Sequence, residues 1–249
     1  MSKLGDRIRK AGKVEPARLG FATFAASARA ASMVTVVDVG SDASKIADAV
    51  KKGAEAILWE GDAAALRAAK VPDGVILGVR ALSAGREEAA HLREAGADFL
   101  VVDPDSRGEA LLDDKLGFVM AIADGAALED SQLRLMGELS LEALLVEAPA
   151  SPMSVADVMA LRRLAALARA PMLVRAQPAM DAGSLQLLRE SGAIGVVVDL
   201  SSAGKLADLR KTIDSLPDRG RKRDDKSDAL VPAQSGGGHD HDDYDDDDD

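Results

Sequence analysis

The sequence predicts an α/β protein built as a compact (β/α)8 barrel, with an N-terminal extension before it and a disordered charged tail after it. Three observations carry that expectation. Apolar runs alternate with helical patterns eight times between Met33 and Leu216, and the runs start about 20 to 30 residues apart, the size of one strand–helix unit. The joints from helix to strand repeat a small-residue signature, in Gly53-Ala54-Glu55, Gly96-Ala97-Asp98 and Gly192-Ala193-Ile194. The apolar content of the 249 residues is aliphatic, with aromatics at only 2%, which suits parallel strands buried under Ala-rich helices.

Residues 1–32 read as an extension that packs on the barrel. Leu4 and Ile8 form a short helical stripe, and Pro16 opens an Ala-rich stretch to Ser32. The barrel occupies residues 33–216. Its first strand, from Met33, ends near Asp38. Gly40-Ser41-Asp42 then turns the chain and caps a helix over Ala43–Lys52, since a Ser or Asp oxygen accepts from exposed helical N–H groups. Gly53 stops that helix through a left-handed cap. The second strand is Ala56–Trp59, followed by Glu60-Gly61-Asp62 and a helix to Ala69. Val75–Val79 ends at Arg80 and leads to a helix over Arg86–Ala95; Phe99–Val102 ends at Asp103-Pro104-Asp105 and leads to a short helix over Gly108–Leu112. Phe118–Ile122 precedes Asp124 and a helix over Ser131–Leu139, and Ala143–Val146 precedes Glu147 and a helix over Val155–Arg169. Met172–Val174 ends at Arg175 before a helix over Asp181–Ser191. Ile194–Val198 ends at Asp199 before the last helix. Eight such units close a parallel barrel. No G-x-G-x-x-G stands after the first strand, which argues against an open doubly wound sheet.

From Pro217 the composition becomes charged, then Gly-rich at Ser235–Gly238, then acidic. Residues 217–249 are expected to be disordered, because they hold too little apolar surface to fold alone. The eight aspartates of the last eleven residues account for all but −3 of the formal charge of −11. The folded part is therefore near neutral, and the tail reads as a contact for a basic partner. The absence of Cys excludes disulfides, thiolate zinc sites and Cys nucleophiles, and fits a cytoplasmic protein. The scarcity of aromatics argues against stacking on nucleic-acid bases. No membrane segment is expected: Leu19 to Val37 carries Arg29 with Ser and Thr, and the basic start runs into Asp6 and Glu15 rather than an apolar stretch.

In a parallel barrel the loops after the strands share one rim, so the residues ending each strand become candidates. They are Asp38, Trp59, Glu60, Arg80, Asp103, Asp105, Asp124, Glu147, Arg175, Gln177 and Asp199. Polar strand ends also occur wherever strands meet water, so each residue alone is weak and the convergence on one rim gives the set its weight. Arg80 and Arg175 offer planar forks for a carboxylate or phosphate. Glu60, Asp103, Asp124 and Glu147 are candidate acid–base groups, and as oxygen donors a candidate Mg²⁺ set. His91 lies mid-helix behind Glu87 and Glu88, and no Lys ends a strand, which argues against His-based metal centres, catalytic triads and Schiff-base chemistry.

Over residues 33–216 the eight-unit pattern resembles the TIM-barrel superfold. The last two loops, with Asp181-Ala-Gly183-Ser184 and Ser201-Ser202-Ala-Gly204-Lys205, look like those of the ribulose-phosphate-binding and flavin-phosphate-binding barrels. That resemblance implies phosphate held by backbone N–H groups there, with Gln177, Ser201, Ser202 and Lys205 around it. Ser201 and Ser202 read equally well as caps of the last helix. Where those barrels keep glycines, this chain has Arg175-Ala-Gln177-Pro178 and Asp199-Leu200, so FMN is the less favoured cofactor. The expected activity is that of a lyase or isomerase acting on a small anionic, phosphorylated metabolite at the rim. The alternatives are a non-catalytic barrel serving ligand binding or assembly, including homo-oligomers, and an FMN-dependent oxidoreductase.

Overall fold

The computed structural model describes residues 2–12, 32–69, 71–176 and 180–217. The tail expected from residue 217 and most of the N-terminal extension lie outside the described residues. Eight strands are present: β1 Val34–Asp38, β2 Ala56–Glu60, β3 Ile76–Arg80, β4 Phe99–Val102, β5 Gly117–Ile122, β6 Ala143–Glu147, β7 Met172–Arg175 and β8 Ala193–Asp199. All pair in parallel in sequence order, and β8 closes onto β1 with Val34 opposite Gly195 and Asp38 opposite Asp199. The eight-unit reading is therefore correct, with each strand within two residues of its expected bounds.

The helices are α1 Lys3–Gly12, α2 Ile46–Lys51, α3 Ala63–Ala68, α4 Arg86–Glu94, α5 Asp130–Met136, α6 Val155–Ala168, α7 Ala182–Glu190 and α8 Leu206–Ser215. The expected helix over Gly108–Leu112 is a 3₁₀ turn, and 3₁₀ turns also lead into α2 (Ala43–Lys45) and α8 (Leu200–Lys205). Helix α5 stops at Met136, short of Leu139, with Gly137 as its C-cap. Gly53, Gly96 and Gly192 all have φ between +93° and +108°, the left-handed turn that lets each helix drop under the sheet.

Side chains alternate across each strand. Val37, Ile57, Trp59, Leu77, Leu100, Met120, Leu144, Val174 and Val198 pack outward under the helices. Val34, Val36, Ala56, Leu58, Phe99, Val101, Val119, Ala143, Leu145, Leu173 and Val197 fill the interior. The Phe99 ring occupies the space of a missing side chain at Gly78, where a Cβ would lie 2.0 Å from Phe99 Cζ. Small and large inward residues thus fit together across neighbouring strands. Among the described residues no helix is long and apolar enough to cross a membrane.

The strand-entry end of the interior is closed by α1. Leu4, Ile8 and Ala11 lie on one face of that helix and join the interior cluster. Helix N-termini leave N–H groups without intrahelical partners. Asp98, at the start of β4, supplies the acceptors: Lys3 N donates to Oδ1 at 2.8 Å and Leu4 N to Oδ2 at 2.9 Å. Ser2 Oγ donates to Glu142 Oε2 at 2.5 Å, and Glu55 takes Arg7 of α1 and Arg210 of α8, each at 3.0 Å.

Burial raises the Glu142 pKa above its usual 4.5, and the nearby Asp98 adds to the rise, against hydrogen bonds from the Ser2 hydroxyl and amide and the positive N-terminus. The folded chain therefore holds a proton that the unfolded chain releases at lower pH. Stability from this group is fully present below 4.5 and is lost as pH rises through the folded-state pKa. Glu142→Gln keeps an acceptor for Ser2 and removes the titration. Its stability relative to wild type, followed by urea unfolding from pH 4 to 8, should improve steadily as pH rises. A gap independent of pH would show that Glu142 does not titrate against the docked helix.

Candidate functional site

The opposite end of the interior carries charge instead of a helix. Asp38, Glu60, Arg80, Glu147, Arg175 and Asp199 occupy the last position of their strands. Each continues the inward alternation of its strand, after Val36, Leu58, Gly78, Leu145, Leu173 and Val197. Strand register sets opposite charges side by side, with Glu60 beside Arg80 and Glu147 beside Arg175, while Asp38 stands beside Asp199.

Asp38 is the hub. Its side chain is 7% exposed, and Oδ2 accepts from Arg80 Nη2 at 3.1 Å and Arg175 Nη2 at 2.8 Å. Its other oxygen, Oδ1, accepts from Gly40 N at 2.9 Å. Strand β1 lies two strands from β3 on one side and two from β7 on the other, so one carboxylate reaches both guanidiniums. Each arginine also has outer partners: Arg80 meets Glu60 at 3.6 Å, and Arg175 meets Glu147 at 3.3 Å and Asp199 at 3.2 Å. These three carboxylates are more than half exposed.

The structure thus brings together four residues expected at the site: Arg80, Arg175, Glu60 and Glu147. It does not bring Asp103 and Asp124 to them. Asp103 lies one residue past the end of β4, and its Oδ1 accepts from Ser106 Oγ at 2.7 Å and Asp105 N at 3.1 Å. Asp124 falls on the outward parity of β5 and holds its own turn, accepting from Ala126 N at 2.9 Å and Ala127 N at 3.3 Å. The Mg²⁺ set expected from Glu60, Asp103, Asp124 and Glu147 is accordingly not assembled. Among the described residues no three His, Asp or Glu side chains form a group able to hold a metal ion. Trp59 points outward, 1% exposed, with Nε1 donating to Ser41 O at 3.3 Å.

The loop expected to cup a phosphate is built differently. Asp181 accepts from Ser184 N at 2.8 Å and Ser184 Oγ at 3.1 Å, so the chain's own carboxylate caps α7. The Ser184 amide and hydroxyl hold the Asp181 pKa below the usual carboxylate range. Ser201 and Ser202 lie within the 3₁₀ turn, and α8 begins behind Lys205 without a side-chain cap, so neither serine caps the last helix. Lys205 is exposed and forms no ion pair among the described residues. Gln177 lies outside the described residues.

Beside the ion-pair ring, between the loops after β2 and β3, opens a groove of about 620 Å³. Glu60 and Arg80 form its inner wall, and Asp62, Leu82, Ser83 and Glu88 line the rest.

No protein-family model matches the chain, and no curated protein matches it in sequence. Solved structures do match. The 3-keto-L-gulonate-6-phosphate decarboxylase of Vibrio cholerae O1 biovar El Tor aligns with a TM-score of 0.54 at 14% identity, covering 73% of this chain and 97% of that one. The fold is the TIM barrel. A mutant tryptophan synthase α-subunit from Pyrococcus furiosus gives 0.54 at 14% identity over 74% of this chain and 97% of that one. Phosphoribosyl anthranilate isomerase from Thermus thermophilus gives 0.54 at 14% over 74% and 100%. At such identities the likeness is one of architecture alone.

The ring has a firm inner part and a loose outer part. Removing a buried partner leaves its counter-charges unpaired, whereas exposed ion pairs contribute little. Asp38→Ala should therefore lower stability by about 3 kcal/mol, whereas Glu147→Gln or Asp199→Asn should change it by less than about 1 kcal/mol. Chemical unfolding of the three variants measures this, and equal effects would show that Asp38 is not the hub.

Proposed function

We propose that this TIM barrel is an enzyme of the lyase or isomerase type, whose substrate is a small anionic metabolite held between Arg80 and Arg175. The observation that supports the reading is the unequal hold on the two guanidiniums. Buried Asp38 fixes both forks from the inner side, while their outer sides are met only by exposed carboxylates. A phosphate or carboxylate arriving from solvent can replace those outer partners, because each such exchange gives up an interaction of about 1 kcal/mol or less. It gains charge-assisted, bidentate hydrogen bonds to arginines that are already oriented.

Displacement also gives the outer carboxylates a role. Glu60 and Glu147 sit directly across the register from Arg80 and Arg175. Once a ligand anion takes their place, each is left beside the ligand, in position to act as a general acid or base. Lys205, exposed on the turn after β8, adds a further positive charge for the anion, with Ser201 and Ser202 on the same turn. Two of the structurally similar proteins are named for phosphorylated compounds, which favours phosphate over carboxylate as the substrate's anion.

A second reading is a barrel that binds or assembles without catalysing. It is favoured by the internal pairing of every ring charge and by the engagement of Asp103 and Asp124 in their own loops. Ligand titration separates the two. Inorganic phosphate and small sugar phosphates should stabilise the wild type by about 2.7 kcal/mol at a hundred times Kd, read as a rise in Tm, and Arg175→Gln should remove most of that rise. No shift in the wild type, or an equal shift in Arg175→Gln, would overturn the anion site and leave the second reading.

A further inference from the structure

The groove between the β2 and β3 loops shares a wall with the ion-pair ring, because Arg80 and Glu60 belong to both. Arg80 is held to Asp38 at 3.1 Å on its ring side and meets Glu60 only at 3.6 Å on its groove side. An anion that displaces Glu60 therefore sits at the inner end of the groove, and whatever the anion is attached to extends along it.

The lining sets what that extension must be. Besides Arg80, the charged groups facing the groove are Glu60, Asp62 and Glu88. Asp62 and Glu88 are fixed in place by one hydrogen bond each, Asp62 Oδ1 accepting from Ala65 N at 2.8 Å and Glu88 Oε1 from Ala63 N at 3.2 Å. Asp62 keeps its second carboxylate oxygen for a ligand, and Glu88 Oε2 has His91 Nδ1 at 4.0 Å. Leu82, 41% exposed, with Ala81 and Ala84 supplies apolar lining, and Ser83 adds a hydroxyl without a further charge. A purely anionic ligand bound at Arg80 would lie along a wall whose other three charges are all negative. A ligand that carries a positive group at its far end meets that wall favourably.

From the 620 Å³ groove and the guanidinium at its inner end we infer that the substrate class is zwitterionic: a small phosphate or carboxylate bearing an amino group, the anion held between Arg80 and Arg175 and the ammonium in the groove against Glu60, Asp62 and Glu88. This rests on the anion-binding reading given above. The short methylene run joining the two ends covers Leu82, which is otherwise exposed to water.

The test uses the full-length chain and three probes in calorimetric titration: inorganic phosphate, 2-hydroxyethyl phosphate and 2-aminoethyl phosphate. The last two differ in one terminal group. The wild type should bind the amino compound about fivefold or more tighter than the hydroxy compound, the effect of two or three partly exposed charge pairs. Glu60→Gln/Glu88→Gln keeps the acceptor for Ala63 N and should reduce that preference to within about twofold while leaving phosphate bound at least as tightly. Asp208→Asn, which removes an equal exposed charge on α8, should leave the preference intact. Binding of phosphate with no preference between the two esters would overturn the zwitterion assignment and leave the anion site standing. A preference lost equally in Asp208→Asn would overturn its location in the groove. Failure of the wild type to bind any of the three would overturn both readings together.

Discussion

A closed barrel of eight parallel strands has an interior that its own side chains must fill, and this requirement governs the rest of the molecule. Every strand contributes alternate residues to a space that helices cannot enter from the side. Here the middle of that space is filled by aliphatic residues and by one ring, Phe99, accommodated at Gly78. The two ends remain, and the chain closes them by different means. At the strand entries it inserts the apolar face of α1. At the strand exits it places charge, and charge at the mouth of a low-dielectric interior must be neutralised locally. Each of the four carboxylates there is paired with one of two arginines, and the most buried is shared between both guanidiniums.

Both ends carry acidic clusters, yet their chemistry differs. At the entries, Glu55, Asp98 and Glu142 are bound to groups of α1 and α8: helix amides, a serine hydroxyl and two arginines. Their partners belong to the folded chain and cannot leave without undocking a helix. At the exits, Glu60, Glu147 and Asp199 bind only arginine side chains and face solvent. An exposed carboxylate whose sole partner is an arginine side chain is exchangeable. The same residue type is thus structural at one end and available at the other, because of what lies opposite it.

The strands were legible because each is a short aliphatic run between a glycine joint and a polar end. Gly53, Gly96 and Gly192 were readable as left-handed caps from their position alone, and their φ values agree. The site was half legible. Counting alternation from the strand middle separates Glu60 and Glu147, which fall inward, from Asp124, which falls outward. Asp103 has inward parity, but Asp105 N and Ser106 Oγ in the turn after it engage its carboxylate, as Ala126 N and Ala127 N do for Asp124. These local cues were present in the sequence. The role of Asp38 was not: it depends on β8 closing onto β1 across some 160 residues and on two arginines arriving from β3 and β7, which no local spacing encodes. The cap on α7 shows the opposite failure. Asp181-Ala-Gly183-Ser184 carries the small residues of a phosphate loop, but the aspartate at its head fills the helix terminus itself.

The hub also determines how binding at the rim would be transmitted. Arg80 and Arg175 do not contact each other through a pair of their own; both are positioned by Asp38 Oδ2. An anion drawing one guanidinium outward weakens its hold on that oxygen and strengthens the other arginine's claim to it. The two forks are therefore coupled even though they belong to strands four positions apart around the barrel. A ligand spanning both uses this coupling in its favour, because neither arginine has to be left against an unshared Asp38. A ligand engaging Arg80 alone would leave Arg175 paired with Asp38, Glu147 and Asp199.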